Sequence, residues 1–315
     1  MTTTPPAEER LHPEIAERVR RIQAAGGKPA HEQSPAEVRA AFLAARQPLR
    51  RLAQGLDIED IRIDGPGGAL PLRLYRPQAA APLAAIAYFH GGGFTNGDLD
   101  SHDAVACALA LETGCAVASV DYRVLPDHAF PAAFDDAVAV LRWLPGWAQK
   151  LGLAKDRIAA GGDSSGANLA LAAALQLRGE LALRALWLAY PIIGADFDTP
   201  SYRENAQAPL LTRARCQRIL SDYAGRALTG DDWRIAPLLS PDLQGLPPVV
   251  AIAAELDPLR SDAEILMERL PRDSGSVLVR AQGLPHGFLR WIGDAKVCQQ
   301  VASESFAALR GLITR

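Results

Sequence analysis

Cysteine is scarce in this chain of 315 residues, and the four present are scattered. Cys107, Cys115, Cys216 and Cys298 form no Cys-x-x-Cys pair, and no histidine cluster stands at metal-ligand spacing. That pattern excludes a disulfide-dense secreted scaffold and a zinc module. It reads as free buried thiols in a reducing cytoplasm, and no metal is expected. Basic charge is not in excess either. The net charge is −3, and no basic stripe with interleaved aromatics is visible. Nucleic acid is therefore not an expected partner, and Arg50-Arg51 reads as a solvated helix face. No apolar run approaches the roughly 20 residues of a membrane span. The polar start, Met1 to Arg10, lacks the basic-then-apolar order of a secretory signal, so neither export nor a membrane partner is expected. Internal repeats and low-complexity stretches are likewise missing.

What is present suits a large buried core, because 49% of the residues are hydrophobic and only 22% charged. Leu11, Ile15, Val19 and Ile22 recur at helical spacing, and Gly26-Gly27 ends that pattern. Ser34-Pro35-Ala36-Glu37 predicts a second helix, with Ser34 as cap, Pro35 at the first helical position and Glu37 closing a capping box. From about residue 57 the texture changes. Strand-like runs fall at 58–63, 70–75, 84–89, 115–120, 157–160, 185–190, 249–253 and 276–280. Helical patterns fall at about 101–113, 132–149, 165–177, 258–270 and 295–312. The alternation predicts an α/β fold with a mostly parallel eight-stranded sheet between helices. Short, fully apolar strands fit a sheet buried on both faces. Residues 193–246 break the rhythm with no obvious strand and one helix near 212–226. An insertion of that length is usually functional. It reads, with about residues 1–55, as a helical cap on a single domain spanning 1–315.

The most informative stretch runs from Gly161 to Asn168. Gly162 and Gly166 flank Ser164 in Gly-x-Ser-x-Gly, after a strand-like run and before a helical one. A serine on such a turn has an exposed hydroxyl, and small neighbours relieve the crowded backbone. That is the nucleophile elbow of an α/β-hydrolase. A glycine-rich turn could instead cradle phosphate, but neither the dinucleotide fingerprint nor a Gly-Lys-Ser/Thr ending occurs. Serine needs a base, and the base needs an orienting acid. The order in this fold is serine, acid, histidine, and His286 is the only histidine after Ser164. Glu255 and Asp257 compete for the acid. Asp257 is favoured, because the Asp257-Pro258 turn fixes its direction; it also looks like the cap of a helix beginning at Pro258. His90-Gly91-Gly92-Gly93-Phe94 follows the third strand, where this fold supplies a backbone N–H to the oxyanion. The residue after the nucleophile, Ser165, supplies another.

These motifs, together with Asp121-Tyr122-Arg123, Pro126, His128, Asp257-Pro258-Leu259-Arg260 and His286-Gly287-Phe288, resemble the hormone-sensitive lipase family of α/β-hydrolases in its bacterial esterase branch. The resemblance spans essentially the whole chain. It implies a serine carboxylesterase acting on short- to medium-chain acyl esters through an acyl-enzyme, without cofactor. Ser164 resembles the nucleophile, His286 the general base and acid, and Asp257 the orienting carboxylate. The amides of Gly92, Gly93 and Ser165 match the oxyanion donors. His90, Asp121 and His128 resemble structural residues, and a homodimer is a family-based expectation. Phe94, Leu210, Leu211 and Phe288 are candidate pocket walls. Three positions depart from the family pattern. Ser165 stands for Ala and Ala167 for Gly, while Ser261 stands for a frequent Asp. The same triad would also serve amides, lactones or carbamates. A ligand-binding relative with a dead site would lack the histidine that this chain keeps.

Overall fold

A computed structural model describes residues 7–44, 54–79, 82–225 and 231–314. The strands are β1 (Leu56–Gly65), β2 (Gly68–Pro77), β3 (Leu83–Phe89), β4 (Ala116–Val120), β5 (Leu153–Asp163), β6 (Leu186–Ala189), β7 (Val249–Leu256) and β8 (Val277–Pro285). They form one sheet in the order β1-β2-β4-β3-β5-β6-β7-β8. β1 and β2 are an antiparallel hairpin, and β2 joins β4 antiparallel. The pairs from β4 to β8 are all parallel. Every residue of β3, β4 and β6 is buried, as helices on both faces require.

The helices are α1 (Pro13–Ala24), α2 (Pro35–Ala44), α3 (Asp103–Thr113), α4 (Ala132–Trp147), α5 (Ser165–Gln176), α6 (Pro200–Glu204), α7 (Arg213–Ala224), α8 (Arg260–Arg269) and α9 (Lys296–Ile313). They cover two core layers. Side chains of α4, α5, α7 and α8 fill one, and those of α1, α3 and α9 fill the other. Period two along β3 divides the strand between them. Ala85, Ala87 and Phe89 enter the first layer, while Ile86 and Tyr88 enter the second.

Each expected strand is present, and the strands leading to the candidate site run further than their propensities predict. β5 continues through Gly161-Gly162 to Asp163, β7 to Leu256 and β8 to Pro285. Pairing with neighbours overrides weak local preference there, since Gly162 pairs with Phe89 and Leu188. The capping box forms as expected: the Ser34 amide donates to Glu37 at 2.7 Å, and the Glu37 amide to Ser34 Oγ at 3.2 Å. These contacts and Lys28 hold the Glu37 carboxyl down at about 2.

One expectation needs correcting. α8 starts at Arg260, not Pro258, and its cap is Leu259. Asp257 instead closes a tight turn, accepting from the Leu259 amide at 2.9 Å. Residues 193–246 hold α6, α7 and a 3-10 turn, Pro237–Leu239. Arg50-Arg51, the first six residues and the remainder of 45–53 lie outside the described residues. All four cysteines are buried, and none forms a disulfide among the described residues.

Candidate active site

β5 carries the chain into a turn at which Ser164 takes φ 53° and ψ −116°, immediately before α5. An L residue held there costs on the order of 1–3 kcal/mol, so the surroundings must enforce it. They do so by leaving no alternative. A Cβ on Gly166 would run into the Phe89 carbonyl, and one on Gly162 would lie 2.5 Å from the Gly166 carbonyl carbon. The Ser164 amide donates to Ala189 O at 2.9 Å, which pins the elbow to β6.

His286 follows β8 and reaches the elbow from the side. Its Nε2 lies 3.0 Å from Ser164 Oγ, and its Nδ1 lies 2.7 Å from Asp257 Oδ2. With the proton on Nδ1, the imidazole donates to Asp257 and leaves Nε2 to accept from the serine. Asp257 is fully buried, and its second oxygen takes the Leu259 amide. Asn205 grips the acid loop by donating to the carbonyls of Glu255 and Asp257 at 3.0 and 3.1 Å. Glu255, the competing acid, is engaged elsewhere. It accepts from the Gly283 amide at 2.7 Å and from Arg10 at 3.1 Å. The Tyr190 ring meets His286 edge-on at 4.9 Å. Ser164 and His286 are 8% and 9% exposed, enough for a small reactant to touch them.

The loop after β3 forms the third side. Gly92, Gly93 and Phe94 all have left-handed φ, at 131°, 63° and 59°. The amides of Gly92, Gly93 and Ser165 donate to no described residue. Asp163 ties this loop to the elbow. Its carboxylate accepts from the Gly91 amide at 2.8 Å, from Tyr88 at 2.7 Å and from Tyr190 at 3.4 Å. Burial pushes the Asp163 pKa up, but nearby His102 and these donors outweigh it and hold it at about 2. His90 lies between Tyr122 and His102, with ring centroids at 4.3 and 5.3 Å. Burial pushes its pKa down to about 3, so the ring is neutral and bonds the Gly91 carbonyl at 2.9 Å. The Ser165 side chain is buried beside Tyr122 and makes no hydrogen bond to His286.

The four candidate wall residues have diverging surroundings. Phe94 is buried and stacks on Tyr223 of α7 at 3.7 Å with 3° between planes. Leu211 is buried in the same layer as α7. Phe288 is fully buried in the opposite layer, against Tyr190, and Leu210 packs on that layer with φ 72°. Several contacts to the site carry no motif. Ile219 of α7 lies 3.2 Å from where a Cβ on Gly93 would project. Buried Asp262 of α8 accepts from the amides of Ile193 and Gly194 at 3.0 and 2.7 Å, joining that helix to the 193–246 stretch. Burial raises its pKa to about 7. Two surface hollows of about 390 and 350 Å³ contain none of these residues. Among the described residues, no group of three or more His, Cys, Asp or Glu could hold a metal ion, and no helix is long and apolar enough to cross a membrane.

The chain was compared with known proteins. A family model described as the alpha/beta hydrolase fold matches residues 86–290. Esterase LipI of Mycobacterium tuberculosis is 36% identical over 283 residues, 85% of this chain and 87% of that one. An ethyl acetate hydrolase of Pseudomonas putida is 33% identical over 293 residues, 89% of this chain and 92% of its own. Among solved structures, a thermostable esterase from Pseudomonas putida superposes with a TM-score of 0.88 at 26% identity, covering 99% of both chains. A hyperthermophilic esterase from the archaeon Pyrobaculum calidifontis gives 0.83 at 31% identity, covering 97% of this chain and 99% of the other.

Proposed function

The chain belongs to the α/β-hydrolase family, among the hormone-sensitive lipase-like esterases, and from that premise we propose that Ser164, His286 and Asp257 hydrolyse carboxylic esters through an acyl-enzyme. The reaction class is carboxylic ester hydrolysis, the activity named for the relatives. One observation carries the residue roles: the hydrogen-bonded row Asp257–His286–Ser164, at 2.7 and 3.0 Å.

The chemistry follows from that row. Ser164 Oγ bonds to the ester carbonyl carbon as its proton passes to His286 Nε2. The displaced electron pair settles on the carbonyl oxygen, where the amides of Gly92, Gly93 and Ser165 receive it. Each such donor is worth about 2.7–4 kcal/mol of barrier. The tetrahedral centre collapses, the alcohol leaves with the proton from His286, and acyl-Ser164 remains. Water repeats the sequence, giving its proton to His286 and releasing the acid and free serine. Asp257 holds the Nδ1–H tautomer and stabilises the imidazolium.

The preference for short to medium acyl chains rests on α7, whose Ile219 and Tyr223 crowd the oxyanion loop. α7 and its flanks, with the N-terminal helices, act as the cap of a single domain. Four buried free thiols suit a cytoplasmic setting. Homodimerisation is part of the proposal, and gel filtration at a monomer mass would remove that part. The test of the whole is a series of p-nitrophenyl esters from acetyl to palmitoyl. Hydrolysis falling off at long chains, and abolished in Ser164→Ala, is the expected result. No ester hydrolysis, or full activity in the variant, overturns the proposal.

A further inference from the structure

Arginines in this protein generally meet acids. Arg73, whose side chain is 7% exposed, bonds Asp60, Asp100 and Asp103. Arg10 and Arg260 share Glu204. Arg215 is different. It is 9% exposed, and its one side-chain hydrogen bond among the described residues runs from Nη1 to the Ala30 carbonyl at 3.0 Å. Among the described residues no carboxylate lies within ion-pair distance of it, and Asp222 on the same helix is held by Arg218 at 2.7 Å. Burial lowers its pKa, yet a guanidinium stays charged in a protein. The charge of Asp222 reaches Arg215 along the helix, but a buried cation with no carboxylate in contact is costly, so its persistence asks for an anion from outside.

Its position says where that anion would sit. Arg215, Ile219 and Tyr223 are spaced by four and share one face of α7. Tyr223 stacks on Phe94, and Ile219 faces Gly93. Arg215 lies one turn before Ile219 on that face. A second arginine makes no ion pair among the described residues. Arg39 of α2 donates to the Gly97 carbonyl at 3.3 Å, at the base of the oxyanion loop, and rests 5.5 Å from the Phe42 ring.

We infer that Arg215, supported by Arg39, forms an anion subsite above the oxyanion loop, and that the favoured esters carry a carboxylate. Half-esters of dicarboxylic acids are the simplest such substrates. The inference rests on the esterase reading of Ser164.

The test compares kcat/KM of the full chain for monoethyl glutarate, with the charge on the acyl side, and for acetoxyacetate, with the charge on the alcohol side. Ethyl hexanoate and ethyl acetate are the neutral controls. The wild type should favour one anionic ester over its control, and the arm that does so identifies the side. Arg215→Gln should lower that anionic-to-neutral ratio roughly ten- to hundredfold, as loss of a charged hydrogen-bond partner does, while Arg215→Lys retains part of it. In the wild type alone, free glutarate should compete with a neutral ester where sodium chloride of equal ionic strength does not. An unchanged ratio in Arg215→Gln, or neutral esters preferred with no inhibition by glutarate, overturns the subsite and leaves the esterase reading intact. No hydrolysis of any of the four esters, with no fluorophosphonate label on Ser164, overturns the esterase reading itself.

Discussion

On one side of Ser164 lie the carboxyl ends of β3, β5, β7 and β8; on the other lies α7. The sheet side is made of positions at which few residue types are possible. Gly162 and Gly166 have no room for a side chain, Ser164 sits at positive φ, and Asp163 bonds three neighbouring donors. The α7 side is made of ordinary residues in ordinary helical geometry. Ile219 and Tyr223 touch the oxyanion loop from more than a hundred residues away, and other apolar side chains would fit the same pattern. The proposed chemistry rests on backbone constraint, and the proposed selectivity on packing that other apolar side chains would also supply.

Substitutions on the two sides should therefore differ in kind. Ser164→Ala should cost about 10⁶-fold in kcat, the scale of losing a triad nucleophile, with circular dichroism unchanged. Asp257→Asn should cost about 10⁴-fold by stabilising the wrong imidazole tautomer. Glu255→Gln should instead act on thermal stability, because Glu255 bonds Gly283 and Arg10 and not His286. A kinetic loss in Glu255→Gln as large as that in Asp257→Asn would reverse the assignment of the acid. On the α7 side, Tyr223→Leu should lower kcat only about three- to tenfold, the worth of an aromatic stack, by loosening Phe94 at its positive φ. Tyr223→Phe keeps the ring and should restore most of it. If Tyr223→Leu equals Asp257→Asn in effect, the contrast between the two sides fails.

The smallest expected effect concerns Asp262. Its folded pKa is raised to about 7 by burial, against roughly 3.9 in the unfolded chain. The folded state therefore binds the extra proton. The stability this contributes is fully present below the unfolded pKa and is lost as pH rises towards about 7. Thermal unfolding of wild type should show a Tm that declines across that window. Asp262→Asn keeps an acceptor for the amides of Ile193 and Gly194 without titrating, and its Tm should decline less. Parallel curves would show that Asp262 does not set the slope.

How much of this could be read from the letters follows the same division. The elbow, the glycine loop and the lone downstream histidine are local signals whose spacing reflects backbone necessity, so Ser164, Gly92, Gly93 and His286 stood out together. Asp257 also stood out, but its neighbour misled: an Asp-Pro pair commonly opens a helix, whereas here a turn through Leu259 intervenes before Arg260. Glu255 and Asp257 could not be separated by position alone, because residues two apart share a face of a strand, and only the end of β7 at Leu256 sets Asp257 into the turn beyond it. Asn205, Ile219, Tyr223 and Arg215 gave no signal, since each acts through a contact distant in sequence. The aspartate inside the elbow was visible as a letter, but its role depends on Tyr88, Gly91 and Tyr190 converging on it.

The central claim is that Ser164, and not the adjacent Ser165, is the group that takes the acyl chain. Treating the protein with a fluorophosphonate and locating the adduct by peptide mass spectrometry tests it most directly. One adduct is expected, on Ser164, formed in proportion to the loss of esterase activity and absent in His286→Ala. An adduct on Ser165, or full activity with Ser164 modified, would contradict it.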